Sequence, residues 1–287
     1  MAKFIIGCGY LGRRVGKLWL ESGHEVHALT RSQSRAEELK QLGFQPLLGD
    51  VVRPETLDAL PEADTVLHAV GLDRSADPTM QEVYVDGLRN VLNRLADSAQ
   101  RVIYASSIGV YGQRDGEAVD EQSPCEPTRE NGRICLEAEN VLRNHPRFGE
   151  RSVVLRLAGI YGPGRVPHQQ AISAGHPIAV PADGWLNLIH VEDAAEAVLA
   201  AETRAALPDL LLISDGSPVD RRDYYAEVAR LLGAPPPTFA EAVPGSPRAD
   251  RSTSSKRIRN HLAKERLGFS CRYPSFREGL AAIIARD

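Results

Sequence analysis

The sequence predicts an α/β fold, a doubly wound parallel sheet followed by a smaller, discontinuous second domain. Two observations predict it. Over the first half of the 287-residue chain, short apolar runs alternate with segments whose apolar residues recur at helical spacing. That alternation brings strands together in parallel through right-handed crossovers. After Ile160 the rhythm breaks into Gly- and Pro-rich stretches, YGPGR, GHPIAVPADG, DGSP and GAPPPTFAEAVPGSP, which mark loops and short elements.

Element by element, Phe4–Ile6 reads as a first strand that ends in glycines. Leu11, Val15, Leu18 and Trp19 then fall on one helical face, and Gly23 suits a C-terminal cap. Glu25–Thr30 is a second strand, Arg35–Leu42 a helix stopped at Gly43, Phe44–Leu48 a third strand and Thr65–Val70 a fourth. A long helix over about 80–97 carries Leu88, Val91, Leu92 and Leu95 on one face. Arg101–Ser106 is a fifth strand, ENGRICLEAEN opens a helix over 130–144, and Ser152–Leu157 is a sixth strand. Beyond it a strand is expected at Leu210–Ile213, with helices at Asp220–Leu232 and roughly Lys256–Leu267. Pro235–Pro237 and Pro244–Pro247 are expected in extended surface loops. The expected division is residues 1–162 for the sheet domain, with a return of the chain near 186–213, and 163–185 with 214–287 for the smaller substrate-binding domain.

Composition narrows the function classes. Hydrophobic residues make up 43% of the chain and charged residues 25%, the balance of an ordinary globular protein. A net charge of −4 without a long basic run argues against nucleic acid or an acidic membrane surface as partner. No run approaches the ~20 apolar residues of a membrane span. The four cysteines show no CxxC spacing, and His24 and His27 find no third ligand, so neither a disulfide framework nor a metal site is expected. A cytoplasmic protein is the simplest reading.

The first chemical motif is FIIGCGYLGRRVG, with Gly7, Gly9 and Gly12 in G-x-G-x-x-G spacing between a strand and a helix. The first glycine permits the tight turn, the second lets a pyrophosphate approach the backbone, and the third lets helix and strand pack closely. Tyr10 and Leu11 stand at the helix start, where N–H groups meet phosphates. At the end of the second strand, where an acid would read the ribose of NAD, the sequence has Leu29-Thr30-Arg31-Ser32. A guanidinium grips a 2′-phosphate with two donors, so NADP is preferred, with NAD as the alternative. Asp50, followed by Val51, either reaches the adenine amino group or is a helix-entry Asp. Ala69, Val70 and Gly71 are small enough to leave room for a dinucleotide backbone. Ser106 and Ala158, at the carboxyl ends of the fifth and sixth strands, complete the expected cofactor set.

RVIYASSIGVYG (101–112), LRLAGIYGPG (155–164) and NLIHVEDAAEAV (187–198) together resemble the extended short-chain dehydrogenase/reductases, the NAD-dependent epimerase/dehydratase proteins. The likeness extends through ISDGSPVDRRDYYAEVARLLGAPPP and LGFSCRYPSFREGL to nearly the whole chain. The resemblance implies a Rossmann sheet, hydride transfer with a nicotinamide cofactor, a nucleotide-sugar substrate, and a homodimer through the long helices. It implies that Ser107 bonds the reacting oxygen. It also implies a Tyr as acid/base, with a Lys four residues on that lowers its pKa.

This chain departs from that pattern. The stretch matching Tyr-x-x-x-Lys reads Asn131-Gly132-Arg133-Ile134-Cys135, and Tyr84 stands where the preceding helix often carries Asn. The glycine motif is one residue shorter than the family's usual G-x-x-G-x-x-G. Asn cannot titrate, and Cys135 ionises only beside a positive charge. Arg133 points about 160° away round the helix, so a packed, inert thiol is the expectation. Tyr111 and Tyr161, in loops at the carboxyl edge of the sheet, either face the pocket as substitute acids or pack their loops. Asn187 and His190 are candidate substrate contacts, with a structural role as the alternative for His190. Two functions follow as expectations: a nucleotide-sugar epimerase, dehydratase or reductase without the usual Tyr/Lys pair, or a non-catalytic NADP-binding sensor.

Overall fold

The computed structural model describes residues 1–73, 77–240 and 255–285. Contacts divide the chain into two compact units. The first comprises Met1–Val110, Glu130–Arg156 and Ala195–Leu211; the second comprises Tyr111–Arg129, Leu157–Ala194 and Leu212–Asp287.

The central sheet begins with β1 (Ala2–Ile6), β2 (Glu25–Thr30), β3 (Gln45–Leu48), β4 (Thr65–His68) and β5 (Arg101–Ser107). A short strand β6 (Glu117–Val119) lies outside it, and β7 (Ser152–Leu157) and β11 (Leu210–Ile213) complete it. The strand order is β11-β7-β5-β4-β1-β2-β3, and β1–β2, β1–β4, β2–β3 and β4–β5 pair in parallel. The order reverses at β1, and in open sheets of this kind ligands bind outside the carboxyl ends of the strands at such a switch point, here β1 and β4. Strands covered on both faces read as continuous apolar runs. Accordingly every residue of SVVLRL in β7 and LLLI in β11 is buried.

Phe4 and Ile6 of β1 share one core cluster with Val66, Val102, Leu88, Val91, Leu92, Ile134, Ala138 and Leu142. These side chains come from β4, β5 and two helices, α3 (Gly87–Arg94) and α4 (Glu130–Arg143). The opposite face holds α1 (Gly12–Glu21), drawn tight against β1. A Cβ on Gly16 would stand 2.2 Å from the Phe44 ring. Between β2 and β3 lies α2 (Gln33–Gln41), capped at its start by Ser32.

In the second unit, β8 (Gly159–Tyr161) pairs in parallel with β10 (Leu188–His190), and β9 (Trp185–Leu186) pairs antiparallel with β12 (Val219–Asp220). A five-residue helix α5 (Gln169–Ser173), α6 (Val191–Thr203), which runs on into the first unit, and α7 (Arg221–Leu231) lie among these strands. Tyr161, Ile172, Ile178, Tyr224, Val228 and Leu280 form a second core.

Three expectations are corrected. The long helix near 80–97 ends at Arg94 and contains a π-helical turn, Glu82–Asp86, just before α3. The span 256–267 is two elements. Lys256 and Ile258 are buried with Arg257 exposed between them, a period-2 pattern that forms β13 (Lys256–Ile258), parallel to β6; the helix begins only at His261. The fourth strand stops at His68, leaving Ala69 in the loop, where its N–H donates to the Ile6 carbonyl. A helix not expected from sequence, Phe276–Ile284, closes the described chain. Ser275 caps it and Glu278 sits three residues on, a capping-box pair readable in hindsight. Pro235–Pro237 lie in irregular chain as expected, and Pro244–Pro247 lie outside the described residues.

Candidate functional site

The glycine loop joins β1 to α1. Gly7 has φ +91°, and a Cβ there would stand 2.5 Å from the backbone of Ala69 and Val70. A Cβ on Gly12 would stand 2.5 Å from the Gly7 carbonyl oxygen, while one on Gly9 would meet nothing within 4 Å. Thus one glycine makes the turn, one seats the helix, and the middle one faces open space of the kind a diphosphate would fill. α1 begins without a capping side chain or an acid in its first turn, which leaves the positive end of its dipole uncompensated for an anion. These residues fit a dinucleotide.

A cleft of about 380 Å³ opens from this loop, within the size range of small-molecule sites. Gly7, Gly9, Arg31, Asp50, Val51, Ala69, Val70 and Gly71, all expected from sequence, line it. Cys8, Arg35 and Asp73 line it too. Arg31 Nη2 donates to Asp73 Oδ2 at 3.2 Å, and Arg35 Nη1 to Glu38 Oε2 at 3.0 Å. Asp50 Oδ1 accepts the Val52 N–H at 3.2 Å, a turn role compatible with its place at the cleft. Burial pushes the Cys8 thiol up to about 12, so it serves as a small apolar wall. Tyr10, Leu11, Gly12, Ser106 and Ala158 do not line the cleft. Tyr10 lies under the Arg14 guanidinium, 4.2 Å from ring centroid to Cζ. Ala158 belongs to the second unit, where its N–H donates to the Ile213 carbonyl.

Ser107 ends β5, half-buried. Its Oγ accepts the Gly109 N–H at 3.1 Å, so its hydroxyl proton can be directed at another oxygen. On α4, Asn131 is exposed and Cys135 half-buried. Burial first, and the Glu139 charge second, push the Cys135 thiol up to about 11. Where the resemblance implies Tyr and Lys, this helix thus carries an amide and a thiol. One helical turn further, Glu139 is fully buried and takes Arg156 of β7 in a two-pronged ion pair, at 2.6 Å from Nη2 and 3.0 Å from Nε; Ser106 Oγ donates to the same carboxylate at 2.5 Å. Burial, followed by Cys135, Glu139 and Tyr84, holds the Tyr104 phenol well above its ordinary value. The π-helical turn carries Tyr84, whose hydroxyl oxygen accepts the Leu72 N–H at 3.0 Å. Neither ring nitrogen of the buried His68 has a hydrogen-bond partner among the described residues, and burial lowers its pKa to about 4.

In the second unit, the remaining candidates are engaged. Tyr111 donates its hydroxyl to the Asp120 carbonyl at 2.9 Å and is buried. Tyr161 is buried on the helix 276–284, where Gly279 leaves room for its ring, and burial raises its phenol well above its ordinary value. Asn187 spends both ends of its amide on backbone: Nδ2 donates to the Lys256 carbonyl at 2.8 Å and Oδ1 accepts the Ile258 N–H at 2.7 Å. His190 packs 4.0 Å from the Tyr273 ring, and its Nδ1 accepts the Glu192 N–H. Asp215 is buried, its Oδ1 accepts the Ser217 N–H, and burial pushes its carboxyl up to about 7.

Sequence reasoning missed Asp73 and the Ser106–Glu139–Arg156 network, while Arg35 stands one turn on from Arg31 in the sequence. The network had a signal: an Arg inside the apolar run SVVLRL demands a buried partner. Asp73 had none, because its role depends on two loops meeting.

Among the described residues no helix is long and apolar enough to cross a membrane, and no group of three or more His, Cys, Asp or Glu could hold a metal ion. Comparison with known proteins gives three likenesses beyond a family match. Residues 4–210 match the NAD dependent epimerase/dehydratase family. Protein YeeZ of Escherichia coli K12 is 30% identical over 276 residues, covering 94% of this chain and 95% of that protein. A dTDP-6-deoxy-L-talose 4-dehydrogenase (NAD(P)(+)) of Kitasatospora kifunensis is 25% identical, covering 93% and 89%. The structure of a functionally unknown conserved protein from Silicibacter pomeroyi superposes with a TM-score of 0.80 at 29% identity, covering 99% and 98%.

Proposed function

Because the chain belongs to the NAD-dependent epimerase/dehydratase family, we propose that it binds NADP in the cleft at the carboxyl ends of β1 and β4 and acts on a carbonyl or hydroxyl carbon of a nucleotide sugar. The observation that carries this reading is the joining, in one cleft, of the glycine cradle with Arg31 and Arg35. The Kitasatospora relative, whose name joins a dTDP-sugar to NAD(P)+, supports the substrate class. A bound nicotinamide would supply hydride exchange with the substrate carbon. The chain's own residues bind and orient. The α1 N-terminus and the Gly9 backbone receive the diphosphate. Arg31 grips the 2′-phosphate. Ser107 donates its hydroxyl to the reacting oxygen, held in aim by the Gly109 N–H it accepts. The proton is assigned to water or a substrate-borne group, because Asn131 cannot titrate and burial makes the Cys135 thiol a weaker acid than usual.

A second reading, an NADP-binding sensor without turnover, is favoured by that same stripped face of α4. One experiment separates the two. Purified protein is titrated with NADPH and then mixed with a panel of 4-keto nucleotide sugars while nicotinamide absorbance is followed. The enzyme reading expects oxidation that Ser107→Ala slows on the order of a hundredfold, the usual cost of losing one donor to a developing oxyanion. Tight NADPH binding with no absorbance change on any sugar supports the sensor. Failure to bind either nicotinamide nucleotide refutes both.

A further inference from the structure

We infer that Asp73 is a specificity-determining residue of the dinucleotide cleft: by pairing with Arg31 it competes with the 2′-phosphate of NADP and narrows the margin over NAD. This rests on the dinucleotide reading above and goes beyond it. In sheets of this kind the residue after the second strand reads the adenosine ribose, an acid for a free 2′-hydroxyl and an Arg for a 2′-phosphate. Here that position is Arg31, and a carboxylate is delivered from the loop after β4. Arg31 Nη2 and Asp73 Oδ2 stand 3.2 Å apart, and both residues line the cleft. The cleft therefore presents a donor for a phosphate dianion and an acceptor for a hydroxyl side by side.

The pair is poised to open. Both side chains are nearly half-exposed, at 45% and 46%, so water screens their attraction. A 2′-phosphate carries more charge than a carboxylate and matches the guanidinium fork as well. It displaces Asp73 from Arg31, but it then lies beside a like charge. An unphosphorylated ribose disturbs nothing, and its 2′-hydroxyl can donate to Asp73. Arg35 does not duplicate this competition. Its own ion-pair partner is Glu38, on the same helix, and its charge acts on Cys8 in the glycine loop.

Calorimetric titration of NADPH and NADH into wild type, Asp73→Asn, Arg31→Ala and the double variant tests the assignment. Asp73→Asn is expected to tighten NADPH about two- to fivefold, the range an exposed ion pair supports, and to leave NADH unchanged or weaker. The gain shrinks as salt rises. In the Arg31→Ala background the same substitution is expected to move NADPH affinity much less. An unchanged NADPH-to-NADH ratio in Asp73→Asn overturns the inference, as does an equal gain with and without Arg31, which would reduce Asp73 to bulk repulsion. Either result leaves the dinucleotide reading standing. Only a wild type that binds neither nucleotide removes both.

Discussion

The glycine cradle and the inner face of α4 lie in the same unit but are made of different material. The cradle is backbone. Its geometry comes from the absence of Cβ atoms at Gly7 and Gly12 and from the open space beside Gly9. The α4 face is side chains. Where the family resemblance implies Tyr and Lys, it presents an exposed Asn131 and a protonated Cys135, while one turn on it keeps a buried ion pair. A backbone-built site persists as long as the chain can make its turns, because few substitutions are compatible with the fold. A side-chain site can be emptied by two substitutions while the helix that bore it stays packed. The comparison sets a helix face filled by a buried ion pair against a loop whose backbone leaves a cleft open.

The largest expected effect sharpens the first half of that statement. Arg156→Met leaves the Glu139 carboxylate buried without its guanidinium. Breaking such a pair costs on the order of 3–5 kcal/mol, whereas replacing both partners by apolar residues is often near neutral. Urea unfolding should therefore show a large loss for Arg156→Met and substantial recovery when Glu139→Leu is added. If the single variant were as stable as wild type, the pair would be dispensable and α4 would need another reason to persist.

The next effects address the cradle, and they differ from glycine to glycine. An alanine at Gly12 forces a Cβ to 2.5 Å from the Gly7 carbonyl oxygen, overpacking that costs about 1–3 kcal/mol. An alanine at Gly9 meets no atom of the chain within 4 Å, so stability should stay within about 0.5 kcal/mol. The new methyl instead takes space where a diphosphate would lie. Nucleotide affinity is expected to fall about tenfold or more, some 1.4 kcal/mol. Thermal melts paired with NADPH titration check both. Undiminished binding by Gly9→Ala would break the comparison, since the open space would then not be the diphosphate site.

The same contrast explains what was legible in the sequence. The strand–glycine–helix order, the Arg after β2 and the small residues after β4 all follow from chain-local rules, and the structure gathers Gly7, Gly9, Arg31, Asp50, Val51, Ala69, Val70 and Gly71 around one cleft. The fold was legible for the same reason, since parallel strands declare themselves as apolar runs. Asn187, Tyr111 and His190 show where local reading stopped. A polar side chain near a pocket motif looks available until the tertiary partner is known. Asn187 turns out to tie down the backbone of Lys256 and Ile258. Tyr111 holds the Asp120 carbonyl, and His190 packs against Tyr273. Asp73 meets Arg31 only because two loops converge across 42 residues of sequence, a distance no periodicity spans. The π-helical turn at 82–86 was equally hidden, because it keeps the helical apolar pattern while adding a residue to the turn.

The smallest expected effect bears on Cys135. A thiol held near 11 is essentially all protonated at neutral pH, and only the thiolate attacks an alkylating agent. Burial and the Glu139 carboxylate both act against ionisation, so Arg133, exposed and round the far side of α4, does not activate it. At pH 8, iodoacetamide should label Cys135 on the order of a hundredfold more slowly than a free thiol. Its rate should still climb with each pH unit up to about 10. Peptide mapping by mass is needed to separate it from Cys125, since Cys8 and Cys271 are themselves pushed up to about 12. Cys135→Ala should cost at most about 1 kcal/mol of stability and leave any turnover intact. A labelling rate that levels off near neutral pH, or a loss of turnover in the alanine variant, would instead return chemistry to the face of α4 and undo the distinction between the helix that packs and the loop that leaves a cleft open.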